Sequence, residues 1–187
     1  MLLTEDPALI HTGTINQAKV IMPQLKQLLG NQSLKYIFIS HFESDECGGL
    51  SEFIKEFPQV TAICSEVCAR QLWGFDIANA IIIKKPGETL TGKDYNFEFV
   101  NYPSEIHLQD GLVFMETRRG IFFSSDLMFN FGEAHDQIIE RNWQKAIKAS
   151  GAERVPDNGL REELIKDLTG LNPEFIATGH GPCIKLK

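Results

Sequence analysis

A chain of 187 residues, 43% apolar and 23% charged, has ordinary globular composition and enough length to bury a core without disulfide or metal staples, which excludes the disordered and membrane-spanning classes. Lys and Arg number 18 against 25 Asp and Glu, a net charge of −7 with no basic run, and this excludes nucleic acid as a partner. The cysteines Cys47, Cys64, Cys68 and Cys183 form no C-x-x-C pair, and neither a targeting segment nor an apolar run of about eighteen residues occurs, so reduced thiols, no membrane and a cytoplasmic location are expected.

In chain order, Ala8 to His11 reads as a short strand broken by Thr12-Gly13. Asn16 then reads as a helix cap, because Ala18, Ile21, Met22, Leu25, Leu28 and Leu29 recur at helical spacing until Gly30. The apolar run Tyr36 to Ile39 is a buried strand, completing a parallel βαβ unit. It leads into Ser40-His41-Phe42-Glu43-Ser44-Asp45-Glu46-Cys47-Gly48-Gly49, a loop before the amphipathic stretch Leu50 to Phe57. Loops after buried strands carry sites. On an extended backbone His41, Glu43 and Asp45 point to one side, with Glu46 a fourth candidate ligand.

Val60 to Ile63 follows as a strand, Ser65 to Trp73 as a helix capped by Ser65, and Ala80 to Ile83 as another strand. The pattern then becomes strand-rich, with Tyr95 to Val100 alternating as an antiparallel strand does, then Leu112 to Glu116, a turn at Thr117 to Arg119, and Gly120 to Phe123. Helices are expected over Glu133 to Ser150 and Leu160 to Thr169, separated by the turn chemistry of Val155 to Gly159. Pro173 ends the second, and Phe175 to Ala177 is a last strand running into Thr178-Gly179-His180-Gly181-Pro182. Strands alternate with helices in both halves, so two sheets with helices packed outside are expected.

Three more polar residues sit at segment ends of the same kind: His107 after Tyr102 to Ile106, Asp126 after Ile121 to Ser125, and His180 between two glycines. With His41, Glu43 and Asp45 they make three histidines and three carboxylates, enough donors for two metal ions sharing a bridging carboxylate.

The series resembles the metallo-β-lactamase-fold domain of the flavodiiron proteins, the oxygen and nitric oxide reductases, over nearly the whole chain. That family carries H-x-E-x-D-H in its first loop, a later histidine, a bridging aspartate after an F-S-x-D strand end, and a final H-G. Here stand His41, Glu43 and Asp45, then His107 in His107-Leu108-Gln109-Asp110, Asp126 in Phe123-Ser124-Ser125-Asp126, and His180-Gly181. The resemblance implies an α/β fold of the metallo-β-lactamase type, an αββα sandwich of two mixed sheets with helices on the outer faces, as a single domain over residues 1–187. It implies two Fe ions, one held by His41, Glu43 and His107, the other by Asp45 and His180, with Asp126 bridging. Zinc hydrolases of the same fold have histidine where Glu43 stands. Oxygen donors suit iron cycling to the ferric state, and histidine-rich sites suit zinc.

The sequence departs from that pattern at named places. Glu46 occupies the sixth motif position instead of histidine, leaving either an oxygen ligand or a position open to water. His11-Thr12-Gly13 stands where relatives read D-T-G, so the aspartate that orients the site is absent, and a first β-hairpin is expected to be shortened or missing. No FMN-binding loop follows His180, so electrons would come from a separate rubredoxin- or flavodoxin-type donor, and the family's pairing of subunits across a flavin is left open as a homodimer.

The resemblance therefore implies a diiron protein binding and reducing O2 or NO. Two other readings stand beside it: a diiron oxygen sensor read by a signalling partner, and a zinc hydrolase. The remaining candidates have plainer readings. His135 is a surface or capping histidine, His11 a structural histidine of an apolar strand or a support for the site's ligands, Cys47 a small buried thiol, and Asp110 either a turn former or an orienter of His107. Phe42, Trp73, Phe129 and Phe131 are core material or the lining of an oxygen pocket.

Overall fold

The computed structural model describes residues 1–77, 80–129 and 137–187. The chain divides into two compact units, Met1–Lys84 with Gly92–Asp94, and Lys85–Thr91 with Tyr95–Lys187. Among the described residues no helix is long and apolar enough to cross a membrane.

The first unit is built on a parallel sheet in the order β1 (Ala8–Ile10), β2 (Tyr36–Phe38), β3 (Thr61–Cys64), β4 (Ile81–Ile83). One antiparallel bridge, Leu2 to Ala8, precedes β1. The central strands are buried, as parallel strands covered on their faces must be. Helix α1 (Ile15–Leu29) follows the predicted periodicity and buries Ala18, Leu25 and Leu29. Its cap is Thr14, not Asn16: the Thr14 side chain accepts from the Gln17 amide while the Gln17 side chain accepts from the Thr14 amide, a reciprocal pair that satisfies both orphan donors. Two short helices, α2 (Ser44–Cys47) and α3 (Leu50–Glu56), follow β2, and α4 (Glu66–Gly74) follows β3. Ile37, Leu50, Phe53, Ala69 and Leu72 join the buried residues of α1 in one core.

The second unit carries a seven-stranded mixed sheet: β5 (Thr89–Thr91), β6 (Asn96–Tyr102), β7 (Gly111–Glu116), β8 (Ile121–Ser125), β10 (Phe175–Thr178), β11 (Cys183–Leu186) and β9 (Ile138–Arg141) in spatial order. The first four strands form an antiparallel meander, β8 and β10 are parallel, and β9 lies parallel to β11 on the edge. Helices α5 (Trp143–Ala149) and α6 (Asn158–Gly170) bury Ala146, Ile147, Leu164 and Leu168 against Val113, Phe122, Ile176 and Ile184. The rings of Phe97, Phe114 and Phe123 form a ladder across β6, β7 and β8, with centroids 4.9 and 4.6 Å apart.

The helix expected over Glu133 to Ser150 is corrected: Ile138–Arg141 is a strand and the helix begins at Trp143. The two β-branched residues pair with Cys183 and Ile184, and Asn142, in extended backbone, caps α5 by accepting from the Lys145 amide. His135, Phe131 and the expected start of that helix lie outside the described residues. Strands β5 and β11 have no counterpart among the sequence expectations. They are short and partly exposed, with too few residues for a periodic signal.

Candidate metal centre

Each unit gathers its own cluster of donor side chains, and in each the cluster lies where a strand ends. In the first unit, β2 is followed by Ile39, whose amide donates to Ile63 O at 2.9 Å, and then by the buried pair Ser40 and His41. His41 is 2% exposed. Its Nδ1 lies 2.9 Å from Ser40 Oγ, and its Nε2 lies 3.4 Å from Glu46 Oε2 and 3.8 Å from Glu43 Oε2. Ligand atoms of His41, Glu43 and Glu46 all lie within 4.8 Å of one another.

The loop is not extended throughout, so the expected alternation of side chains holds only as far as Glu43. That residue, in extended backbone, is the N-cap of the helical turn α2, where Cys47 N donates to Glu43 O and Gly48 N to Ser44 O, each at 3.0 Å. Asp45 and Glu46 therefore leave the backbone about 100° apart rather than on opposite faces. Glu46, in the helical turn, is the residue brought to His41, and its carboxylate is almost completely buried.

The turn is clamped from behind. Glu46 O accepts from Thr12 N at 2.8 Å and from Thr12 Oγ at 3.2 Å, and Gly49 N donates to Gly13 O and Thr12 Oγ. Gly49 has no room for a side chain, since a Cβ there would stand 2.4 Å from that of Ala18. Burial, reinforced by Cys68 and the Glu46 charge, pushes the Cys47 thiol up to about 12, so this cysteine stays protonated beside the cluster. Phe42 turns its ring onto Phe75, stacked at 5.6 Å. His11, directly after β1, takes φ 60° and stacks on Phe38.

In the second unit, β8 ends at Ser125, whose φ of 47° and ψ of −136° lie where residues other than glycine seldom go. Asp126 follows at once in a 3₁₀ turn, and its Oδ1 lies 3.5 Å from His180 Nε2. The approach is fixed by Gly179, whose amide donates to Ser125 O at 3.0 Å, and a Cβ on Gly179 would come within 3.0 Å of both Asp126 Oδ1 and the Ser125 carbonyl carbon. Phe129 meets the His180 ring edge-on at 6.1 Å and carries the Arg154 guanidinium 3.4 Å over its own face. His107 ends a 3₁₀ turn, half-buried against the edge of Tyr102 at 5.5 Å. Leu108 and Gln109 after it both adopt left-handed backbone, and the Asp110 amide donates to His107 O across that turn.

Of the residues proposed from sequence, His41, Glu43 and Glu46 come together in the first unit with Asp45 beside Glu46, and Asp126 and His180 come together in the second. Ser40 and Thr12 escape sequence reasoning. Their only signal is a hydroxyl directly before a strand-end histidine and a T-G pair after a strand, neither distinctive alone.

The model of the family described as ODP family beta lactamase matches residues 2–181. Among curated relatives, the chain is 24% identical to diflavin flavoprotein A 2 of Nostoc sp. over 96% of its own length, and 27% identical to diflavin flavoprotein A 1 of Thermosynechococcus vestitus over 95%. The chain spans about a third of the length of these relatives, 32% in each case. Among solved structures, the rubredoxin oxygen:oxidoreductase of Desulfovibrio gigas superposes with a TM-score of 0.80 at 19% identity, covering 98% of this chain and 48% of that one. A flavoprotein of Thermotoga maritima gives 0.78 at 22% identity, covering 99% and 47%. At these identities the structural likeness establishes the fold, the metallo-β-lactamase type shared by flavodiiron cores.

Proposed function

Because the chain belongs to the ODP family of beta lactamases, we propose that residues 1–187 act as one metallo-β-lactamase-like domain holding two iron ions, with which it binds and reduces O2 or NO. In this reading His41, Glu43 and His107 would hold one iron, Asp45 and His180 the other, and Asp126 would be common to both. The observation that carries it is the first-loop cluster, one buried imidazole with carboxylate oxygens 3.4 and 3.8 Å from its Nε2. That donor set fits iron: hard carboxylates stabilise the ferric state, and the imidazole beside them makes a mixed nitrogen and oxygen set. A zinc site of the hydrolase kind would be richer in nitrogen.

When bound, the ferrous pair supplies electrons to the diatomic ligand. The residues of the chain orient and shield. Ser40 Oγ lies at hydrogen-bond distance, 2.9 Å, from His41 Nδ1 and holds the ring so that Nε2 faces the carboxylates of Glu43 and Glu46. Asp126 and His180 are held 3.5 Å apart by the close approach of Gly179 to Ser125. Phe42 and Phe129 present apolar surface beside the two clusters. The names of the relatives suggest the electron source, a flavin-bearing or rubredoxin-type donor.

Anaerobic loading with ferrous iron, followed by elemental analysis and a visible spectrum before and after air, tests the reading. Near two irons per chain and a new charge-transfer band on oxygenation support it. A chain that takes zinc, retains no iron and stays colourless in air overturns it.

A further inference from the structure

Glu46 is the residue at which this chain parts from the family's first-loop motif, and it is also the most deeply placed carboxylate of the loop. A buried carboxylate is costly unless a cation or several hydrogen-bond donors meet it, and here the oxygen Oε2 is turned toward an imidazole nitrogen that serves as a metal donor in the reading above. The separation matches shared ligation. Two donors each about 2.1 Å from one ion, at an angle of about 110°, stand about 3.4 Å apart. His41 Nε2 and Glu46 Oε2 are 3.4 Å apart.

Glu46 also faces the other half of the loop. Its carboxylate lies within 4.8 Å of the ligand atoms of His41 and Glu43, and within 4.8 Å of a carboxylate oxygen of Asp45. Those neighbours belong to different irons in the proposed assignment. A histidine at this position offers one nitrogen to one ion, whereas a carboxylate has two oxygens and four lone-pair sites. Resting on the diiron reading, we propose that Glu46 is a metal ligand of this chain whose two oxygens would serve both iron positions of the first loop, that of His41 and Glu43 and that of Asp45, in place of a terminal histidine. The backbone supports that task, because the Glu46 carbonyl is clamped by Thr12 and the side chain emerges from a helical turn with little freedom to swing away.

The test uses the full chain loaded anaerobically with ferrous iron, with Glu46→Gln and Glu46→His compared with the unmodified protein by elemental analysis, chelator competition and the iron–iron exchange coupling seen in variable-field Mössbauer spectra. Glu46→Gln, which keeps the shape and removes the charge, should weaken retention of at least one iron by about 100-fold or more, above the loss expected for a residue that only orients a ligand. Glu46→His should keep two irons but with altered coupling, since one nitrogen cannot bridge. Two irons retained in Glu46→Gln with unchanged competition and coupling would overturn the proposal, and so would wild-type coupling in Glu46→His should the glutamine variant not fold. Failure of the diiron reading itself looks different: the unmodified chain would then retain fewer than two irons.

Discussion

Ser40 Oγ stands 2.9 Å from Nδ1 of His41, and the two residues are adjacent and buried at the end of β2. A hydroxyl bonded to Nδ1 holds the ring in place and leaves Nε2 facing the loop carboxylates, so the histidine's usefulness as a ligand depends on a neighbour with no ligand role of its own. Ser40→Ala should leave the far-UV spectrum unchanged and weaken iron retention about 10- to 100-fold. Chelator competition on the folded variant measures it, and unchanged retention would show that the ring is oriented by packing alone.

Gly179 is required for a steric reason. A methyl group there would stand 3.0 Å from Asp126 Oδ1 and from the Ser125 carbonyl carbon, displacing either the carboxylate or a backbone already in a strained conformation. Gly179→Ala is expected to cost about 1–3 kcal/mol in urea unfolding and to lower iron content. Gly170 is the control, because a methyl group added there would meet nothing within 4 Å, and Gly170→Ala should retain the metal.

Glu116 has a structural task. Fully buried at the end of β7, its carboxylate accepts from the amides of Asn96 at 3.1 Å, Arg118 at 3.3 Å and Arg119 at 2.7 Å, tying the β7–β8 turn to β6. Glu116→Ala strands those donors and should destabilise the fold by about 3 kcal/mol or more. Metal content at a temperature where the variant is folded should be unchanged, which separates this carboxylate from those of the first loop.

Cys47 gives a pH dependence of definite sign. Its thiol is pushed from an ordinary 9.0 up to about 12 by burial, so below pH 9 it is protonated in both folded and unfolded chains and its contribution to stability is fully present. Between pH 9 and about 12 the unfolded chain gives up a proton that the native one keeps. Stability should then fall with rising pH, by at most about 1.4 kcal/mol per unit. Urea melts of apoprotein from pH 8 to 10.5 should show a shallower decline for Cys47→Ala than for the unmodified chain; equal slopes would mean that the thiol is not the titrating group.

The range of the interactions involved governs which elements can be read from residues alone. Helix α1 is legible in the spacing of Ala18, Leu25 and Leu29, and β6 in the alternation from Asn96 to Phe99, because both signals are local and repeat often enough to be seen. The stretch Ile138–Arg141 lies inside a span expected to be helical and is nonetheless a strand, since its identity depends on pairing with Cys183–Leu186, more than forty positions along the chain. Short strands such as β5 and β11 take their conformation from a partner and carry little pattern of their own.

The chemistry of the centre divides in the same way. Where apolar runs stop is written along the chain, and with it the residue types that stand at strand ends, so His41, Glu43, Asp45, His107, Asp126 and His180 can all be named from the sequence. Three features of the first loop come from the fold instead: the helical turn that begins at Ser44, the burial of Glu46 against His41, and the hold of Ser40 on the ring. Residue type is a property of one position, whereas the direction of a side chain depends on the backbone of the whole turn and on the Thr12–Gly13 segment that clamps it from another part of the chain.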